Sequence, residues 1–191
     1  MKGSHNAALA AFSILIAILA SYTALALSAR VSAASGRFRT AWLAGGSVAL
    51  GIGIWAMHFV GMLAYRLPVP ISYAVPLWLL SMLVAIGASL LALWVTSRPI
   101  VPVSARAAAG VLLGLAVAGM HFLGMAAMRV PGRITYQPAM IVLSVAVAVA
   151  AGIGVIWIFI RLRGDDSARG QRERIAAGVV MGGALAAIHY T

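Results

Sequence analysis

The chain has 191 residues, of which 63% are hydrophobic and only 9% charged, whereas a soluble domain carries ~45–50% apolar and ~25% charged residues. Six bilayer spans of ~20 residues need ~120 apolar positions, and 63% of this chain is about that number. A soluble enzyme, a disordered tail and a disulfide scaffold are excluded, and a polytopic membrane protein is what remains.

The net charge of +11 comes from 14 Lys and Arg against three acidic residues. In a soluble protein such an excess would point to nucleic acid. Here the arginines lie between apolar runs, where the positive-inside rule and anionic lipid account for them, so nucleic acid is not expected as a partner. The chain has no cysteine, which excludes iron–sulfur clusters and thiolate metal sites.

In chain order, helical apolar runs fall at Asn6–Ala29, Thr40–Tyr65, Ala74–Thr96, Ala107–Met128, Pro138–Ile160 and Ile175–Thr191. The first five are long enough to cross ~30 Å of hydrocarbon at ~1.5 Å per residue. Lys2 precedes the first run, but the run exceeds the ~7–15 residues of a signal h-region and reads as a retained helix. The sixth run is at the short limit and reads as a span cut before its end, so the chain looks like a fragment of something longer. The fold class expected is all-α, a bundle of six transmembrane helices.

Orientation follows from the loop charges. One side holds Arg30, Arg37, Arg39, Arg98, Arg106, Arg161, Arg163, Arg169, Arg172 and Arg174; the other holds Lys2, Arg66, Arg129 and Arg133. Ten against four places the first side in the cytoplasm and the N-terminus outside.

Self-comparison shows a period of 63 residues and then 68. Gly51, Met57-His58-Phe59-Val60-Gly61-Met62, Arg66, Pro68 and Tyr73 match Gly114, Met120-His121-Phe122-Leu123-Gly124-Met125, Arg129, Pro131 and Tyr136. A third copy starts at Gly178 and Gly182, reaches His189-Tyr190 and runs out. The single domain thus reads as a first helix at 6–29 and three tandem two-helix repeats, near 40–105, 106–174 and an incomplete 175–191.

Ser47 and Gly51, Gly110 and Gly114, and Gly178 and Gly182 are small-xxx-small pairs that let membrane helices approach closely. Each histidine follows the second small residue by seven positions, which is within about 20° of two full turns. His58, His121 and His189 are therefore expected to point into the bundle at a shared depth near the outer surface. Met62 and Met125 follow one turn further out on the same face, while Met57 and Met120 sit on its shoulder. Gly61 and Gly124 leave room there for a close neighbour or ligand.

Histidine within a membrane span is a functional hypothesis by default. The plainer alternative is a hydrogen bond to a carbonyl or to a hydroxyl such as Thr23 or Ser81. Imidazole with thioether, and no carboxylate or thiolate, suits soft or borderline metals: Cu(I) first, then Cu(II) or zinc. Haem stays open, because two facing histidines can hold one iron. No acidic residue lies in a span and no Ser or Cys adjoins a histidine within one, so neither catalysis nor proton pumping is expected. Three classes remain: a sensory metal-binding module, a small haem or copper electron-transfer protein, and a metal transporter.

The repeated Met-His-Phe-x-Gly-Met units, the terminal His189-Tyr190-Thr191 and the paired-helix repeat strongly resemble the bacterial MHYT domain, over essentially the whole chain. The resemblance implies an integral-membrane sensor that binds copper near the outer face and detects a diatomic gas (O2, CO or NO) or a redox signal. It implies a cytoplasmic output domain, such as a diguanylate cyclase or phosphodiesterase, which these residues do not contain. Carried over by position, it implies Met57, His58, Met62, Met120, His121, Met125 and His189 as metal ligands. Tyr190 stands at the family's tyrosine position, where the first two copies have Phe59 and Phe122. Copy three departs from the pattern: Ile188 stands where methionine is expected, and the downstream Gly and Met are missing.

Overall fold

The structure is a computed structural model that describes residues 4–66, 70–131, 137–162 and 168–190; the side chains at 4–5, 66, 168–169, 174, 181 and 184–190 lie outside that description. Hydrocarbon offers no water to backbone N–H and C=O groups, so a spanning segment must satisfy them internally. Six helices do this among the described residues: α1 (Ala7–Ala33), α2 (Gly36–Ala64), α3 (Val75–Thr96), α4 (Val103–Ala127), α5 (Pro138–Leu162) and α6 (Ala168–Tyr190). Helices α1 to α5 are long and apolar enough to cross a membrane. The chain is a multi-pass membrane protein.

Several helices outrun their apolar stretches. α2 begins at Gly36, ahead of the expected Thr40, and α6 at Ala168, ahead of Ile175. Hydropathy marks where side chains tolerate hydrocarbon, but helical hydrogen bonding continues into the interface. There an arginine can lay its apolar stem along the helix and keep its head in water. Local chemistry sets the ends. The Asn6 side chain accepts hydrogen bonds from the backbone N–H groups of Ala8 and Leu9, at 3.1 and 3.3 Å, and so caps α1. Between α1 and α2 the chain reverses within two residues, and Gly36 takes a φ of 52°, which glycine adopts without a side-chain clash.

Four two-residue strands that the apolar pattern did not suggest tie one end of the bundle together. β1 (Ser4–His5) pairs antiparallel with β2 (Tyr65–Arg66), and β3 (Ser72–Tyr73) with β4 (Met128–Arg129). The Ala64 carbonyl accepts from the Asn6 N–H at 2.8 Å, and the Ala127 carbonyl from the Ala74 N–H at 2.7 Å. The starts of α1 and α3 therefore meet the ends of α2 and α4 at one end of the bundle. Segments of two residues are too short to show an alternating pattern, which is why hydropathy missed them.

Helices adjacent in sequence are adjacent in space, and α6 returns to pack on α1 while touching α5 less. The contacts recur with the sequence period. A Cβ at Gly51 would stand 2.5 Å from Ile86 Cα, one at Gly114 2.5 Å from Val149 Cα, and one at Gly182 2.7 Å from Ile18 Cα. Close packing of backbone on backbone is what small residues provide where lipid removes the hydrophobic drive. Helices α1, α3 and α5 carry matching residues of their own, offset by 68 and 63: Ser13, Ser81 and Ser144, then Ala17, Ala85 and Ala148. All six are buried.

The opposite end of the bundle is built from arginine and tryptophan. Arg30 lies 4.9 Å over Trp42, Arg98 3.7 Å over Trp94, and Arg106 5.6 Å over Trp157. Arg39 donates to Ser97 Oγ at 3.1 Å.

Candidate functional site

α2 and α4 bring His58 and His121 face to face. Their Nδ1 atoms are 3.3 Å apart, and the rings stand nearly perpendicular, at 70°, with centroids separated by 4.9 Å. His58 is buried, with 1% of its surface exposed, and His121 is half-buried. His58 precedes the end of its helix by six residues, so the pair lies roughly 10 Å below the strand-paired end.

The space for this contact comes from Gly124, three residues after His121 on α4. A methyl group there would overlap His58 Nε2 and stand 2.7 Å from its Cδ2. The glycine forms a notch that receives the imidazole of the neighbouring helix. The expectation that this position leaves room for a close neighbour is met, and the neighbour is a histidine.

Of the other residues expected at the site, Met57, Met62 and Met120 are buried and Met125 is half-buried. Met120 packs in the central core with Ala24, Leu50, Ile54 and Phe159. It thus faces the bundle interior from α4. The side chain of His189 lies outside the described residues, as does that of His5, whose backbone pairs with Tyr65. Among the described residues no three His, Cys, Asp or Glu side chains gather.

Of the hydroxyls weighed as partners, Thr23 is exposed on α1. Ser81 accepts from the Trp55 indole N–H at 3.1 Å and donates to the Trp78 carbonyl at 2.7 Å. That hydrogen bond belongs to an aromatic cluster the sequence reading passed over. Phe59 meets His58 and Tyr73 edge-on at 5.0 and 5.5 Å and Trp55 at a tilt at 5.0 Å, and Trp55 meets Trp78 edge-on at 4.6 Å. Such edge-to-face contacts restrain ring orientation. A signal was present, since Trp55 lies three residues before His58 and shares its helix face. Burial raises the Tyr73 pKa above its usual 10.0 by penalising the phenolate.

The pair can act in two ways. With one Nδ1 protonated, that ring donates to the lone pair of the other. With both lone pairs free, they can ligate one ion. Two ligands at ~2.0–2.1 Å from an ion, at a tetrahedral angle, are themselves ~3.3 Å apart. The donor set and the spacing both fit a soft or borderline metal.

A helical membrane bundle with a buried histidine pair near one end is the class that fold and site define. The chain belongs to the MHYT family, described as a bacterial signalling protein N-terminal repeat, which matches residues 51–109 and 114–169. It is 46% identical over 188 residues to the bifunctional diguanylate cyclase/cyclic di-GMP phosphodiesterase MucR of Pseudomonas aeruginosa, and 39% identical to the cyclic di-GMP phosphodiesterase NbdA of the same organism. It is also 35% identical to the signaling protein YkoW of Bacillus subtilis. Each alignment takes in 98% of this chain, but only 27% of MucR and 24% of NbdA and YkoW. The chain thus spans about a quarter of the relatives it matches. No solved structure matches it.

Proposed function

We propose that the chain is a membrane-embedded sensory domain that holds copper at His58 and His121, near the outer face of the membrane. It would report a diatomic gas or a redox signal to a cytoplasmic output domain. The observation that carries this reading is the 3.3 Å separation of the two Nδ1 atoms in a buried site.

When bound, copper would supply one-electron redox chemistry and an open coordination position for a gas. The chain's own residues hold the two imidazoles in place. Gly124 receives His58, and Phe59, itself packed on Trp55, braces it. Met62 and Met125, one turn beyond their histidines, are the nearest thioethers by helix register, and Met57 and Met120 complete the proposed set. Zinc fits the imidazoles but makes less use of the thioethers. Haem fits less well, because ligation on opposite faces of a porphyrin would force the rings further apart than their present 4.9 Å.

In this reading the histidine-bearing helices are three copies of one unit, and the third is completed by α6 packing on α1. Gly51 on Ile86, Gly114 on Val149 and Gly182 on Ile18 support it. His189, carried over from the family pattern, is the proposed third imidazole. The arginine-rich end then faces the cytoplasm, with the N-terminus outside. The output would be cyclic di-GMP turnover of the kind named for MucR and NbdA, in segments other than this chain.

Copper measured by elemental analysis in the purified chain should be proportional to protein. Replacing both histidines (His58→Ala with His121→Ala) should abolish it while the helical circular dichroism is retained. Unchanged copper in that folded double variant overturns the reading.

A further inference from the structure

Inside the ring formed by α1 to α5 lies a cavity of about 60 Å³ with almost wholly apolar walls. Among the described residues that line it, only Ser21 and Ser89 carry hydroxyls. Ser89 Oγ donates to the Ala85 carbonyl at 2.9 Å. Ser21 is 3% exposed, and its Oγ has no hydrogen-bond partner among the described residues. Ile54 and Val117 also line the cavity. Each precedes its histidine by four residues, so the cavity reaches to within one helical turn of the imidazole pair.

A bound water needs two to four polar partners, and a cavity of apolar walls stays dry and takes small apolar molecules such as xenon. At ~10–15 Å³ per water the space would hold several waters, yet the one uncommitted hydroxyl among the described lining residues cannot satisfy them. An unpaired hydroxyl facing a dry cavity is itself unfavourable, and it gains from any occupant that accepts even a weak hydrogen bond.

We propose that this cavity is a binding site for one uncharged molecule of diatomic size, with Ser21 Oγ–H as its single weak donor. Its proposed use rests on the sensory reading, since an occupant would wait one turn from His58 and His121. Occupancy itself requires no metal.

Xenon is the probe, applied under pressure to crystals of the 191-residue chain and located by anomalous scattering. The expected result is a xenon peak in the cavity, beside Ser21 and Val117. Ala92→Leu, which grows a side chain from the wall, should lower its occupancy at least about tenfold. Ala24→Val does so more gently should the larger replacement fail to fold. Ser21→Ala should retain the peak. Absence of xenon from the parent chain, ordered waters bonded to Ser21 in its place, or xenon undiminished in a folded wall variant each overturn the proposal. Xenon bound in a chain that holds no copper supports the cavity and counts only against the metal reading; copper bound without xenon does the reverse.

Discussion

At one end of the bundle His58 is buried against His121 within a cluster of Trp55, Phe59, Tyr73 and Trp78, under paired strands. At the other end Arg30 and Arg98 stay exposed and Arg106 is half-buried, and the three lie over Trp42, Trp94 and Trp157. Both ends combine a nitrogen base with aromatic rings, but in opposite environments. Imidazole can be buried neutral and then has lone pairs to offer. Guanidinium stays charged, so it remains at the interface, where a tryptophan ring and lipid headgroups accept it. The first arrangement builds a site, the second an anchor.

The comparison can be broken first at the packing that holds both ends together. Gly114→Val would drive a side chain into the backbone of α5, where even a Cβ stands 2.5 Å from Val149 Cα. A stability loss of about 2–3 kcal/mol is expected in detergent unfolding, with both ends affected alike. Gly124→Ala is the sharper test. It displaces the His58 ring without touching the arginine end, and is expected to cost about 1–2 kcal/mol. Copper content, measured on the folded variant, should fall well below that of the parent. If copper is unchanged, the notch does not position the site.

Alkaline pH separates the ends further. Because burial raises the Tyr73 pKa, ionisation is disfavoured in the folded state. The contribution of neutral Tyr73 is therefore fully present below the usual 10.0 and is lost as pH rises through the folded value. Tyr73→Phe should weaken the loss of folding seen above that pH, as read by near-ultraviolet circular dichroism. The smallest effect is expected at the arginine end. Arg98→Ala removes a cation–π contact worth about 0.5–1 kcal/mol at an exposed position. Thermal unfolding should shift slightly and copper content should not change; a fall in copper would show that the ends are not independent.

Membrane class, the helical runs and the histidine period were legible because each depends on side-chain chemistry along one helix. A span needs its own apolar residues, and a period of 63 residues displays itself whatever the neighbours are. The notch was half legible: Gly124 could be read as room for something, but its occupant sits on another helix. Trp55 shared a face with His58, yet its partner Ser81 lies on α3. The register of Ser13, Ser81 and Ser144 was visible in principle, but serines in an apolar run carry little weight until all three are found buried.

By itself, then, the sequence determined that the backbone must close its hydrogen bonds in helices, and which residues recur at equivalent depth. Only the tertiary structure decided that His58 meets His121, that α6 turns back onto α1, and that a cavity opens beneath the imidazoles. These depend on how whole helices are rotated and spaced against one another. That is settled by the sum of many small contacts between distant segments, and no single stretch of the chain records it.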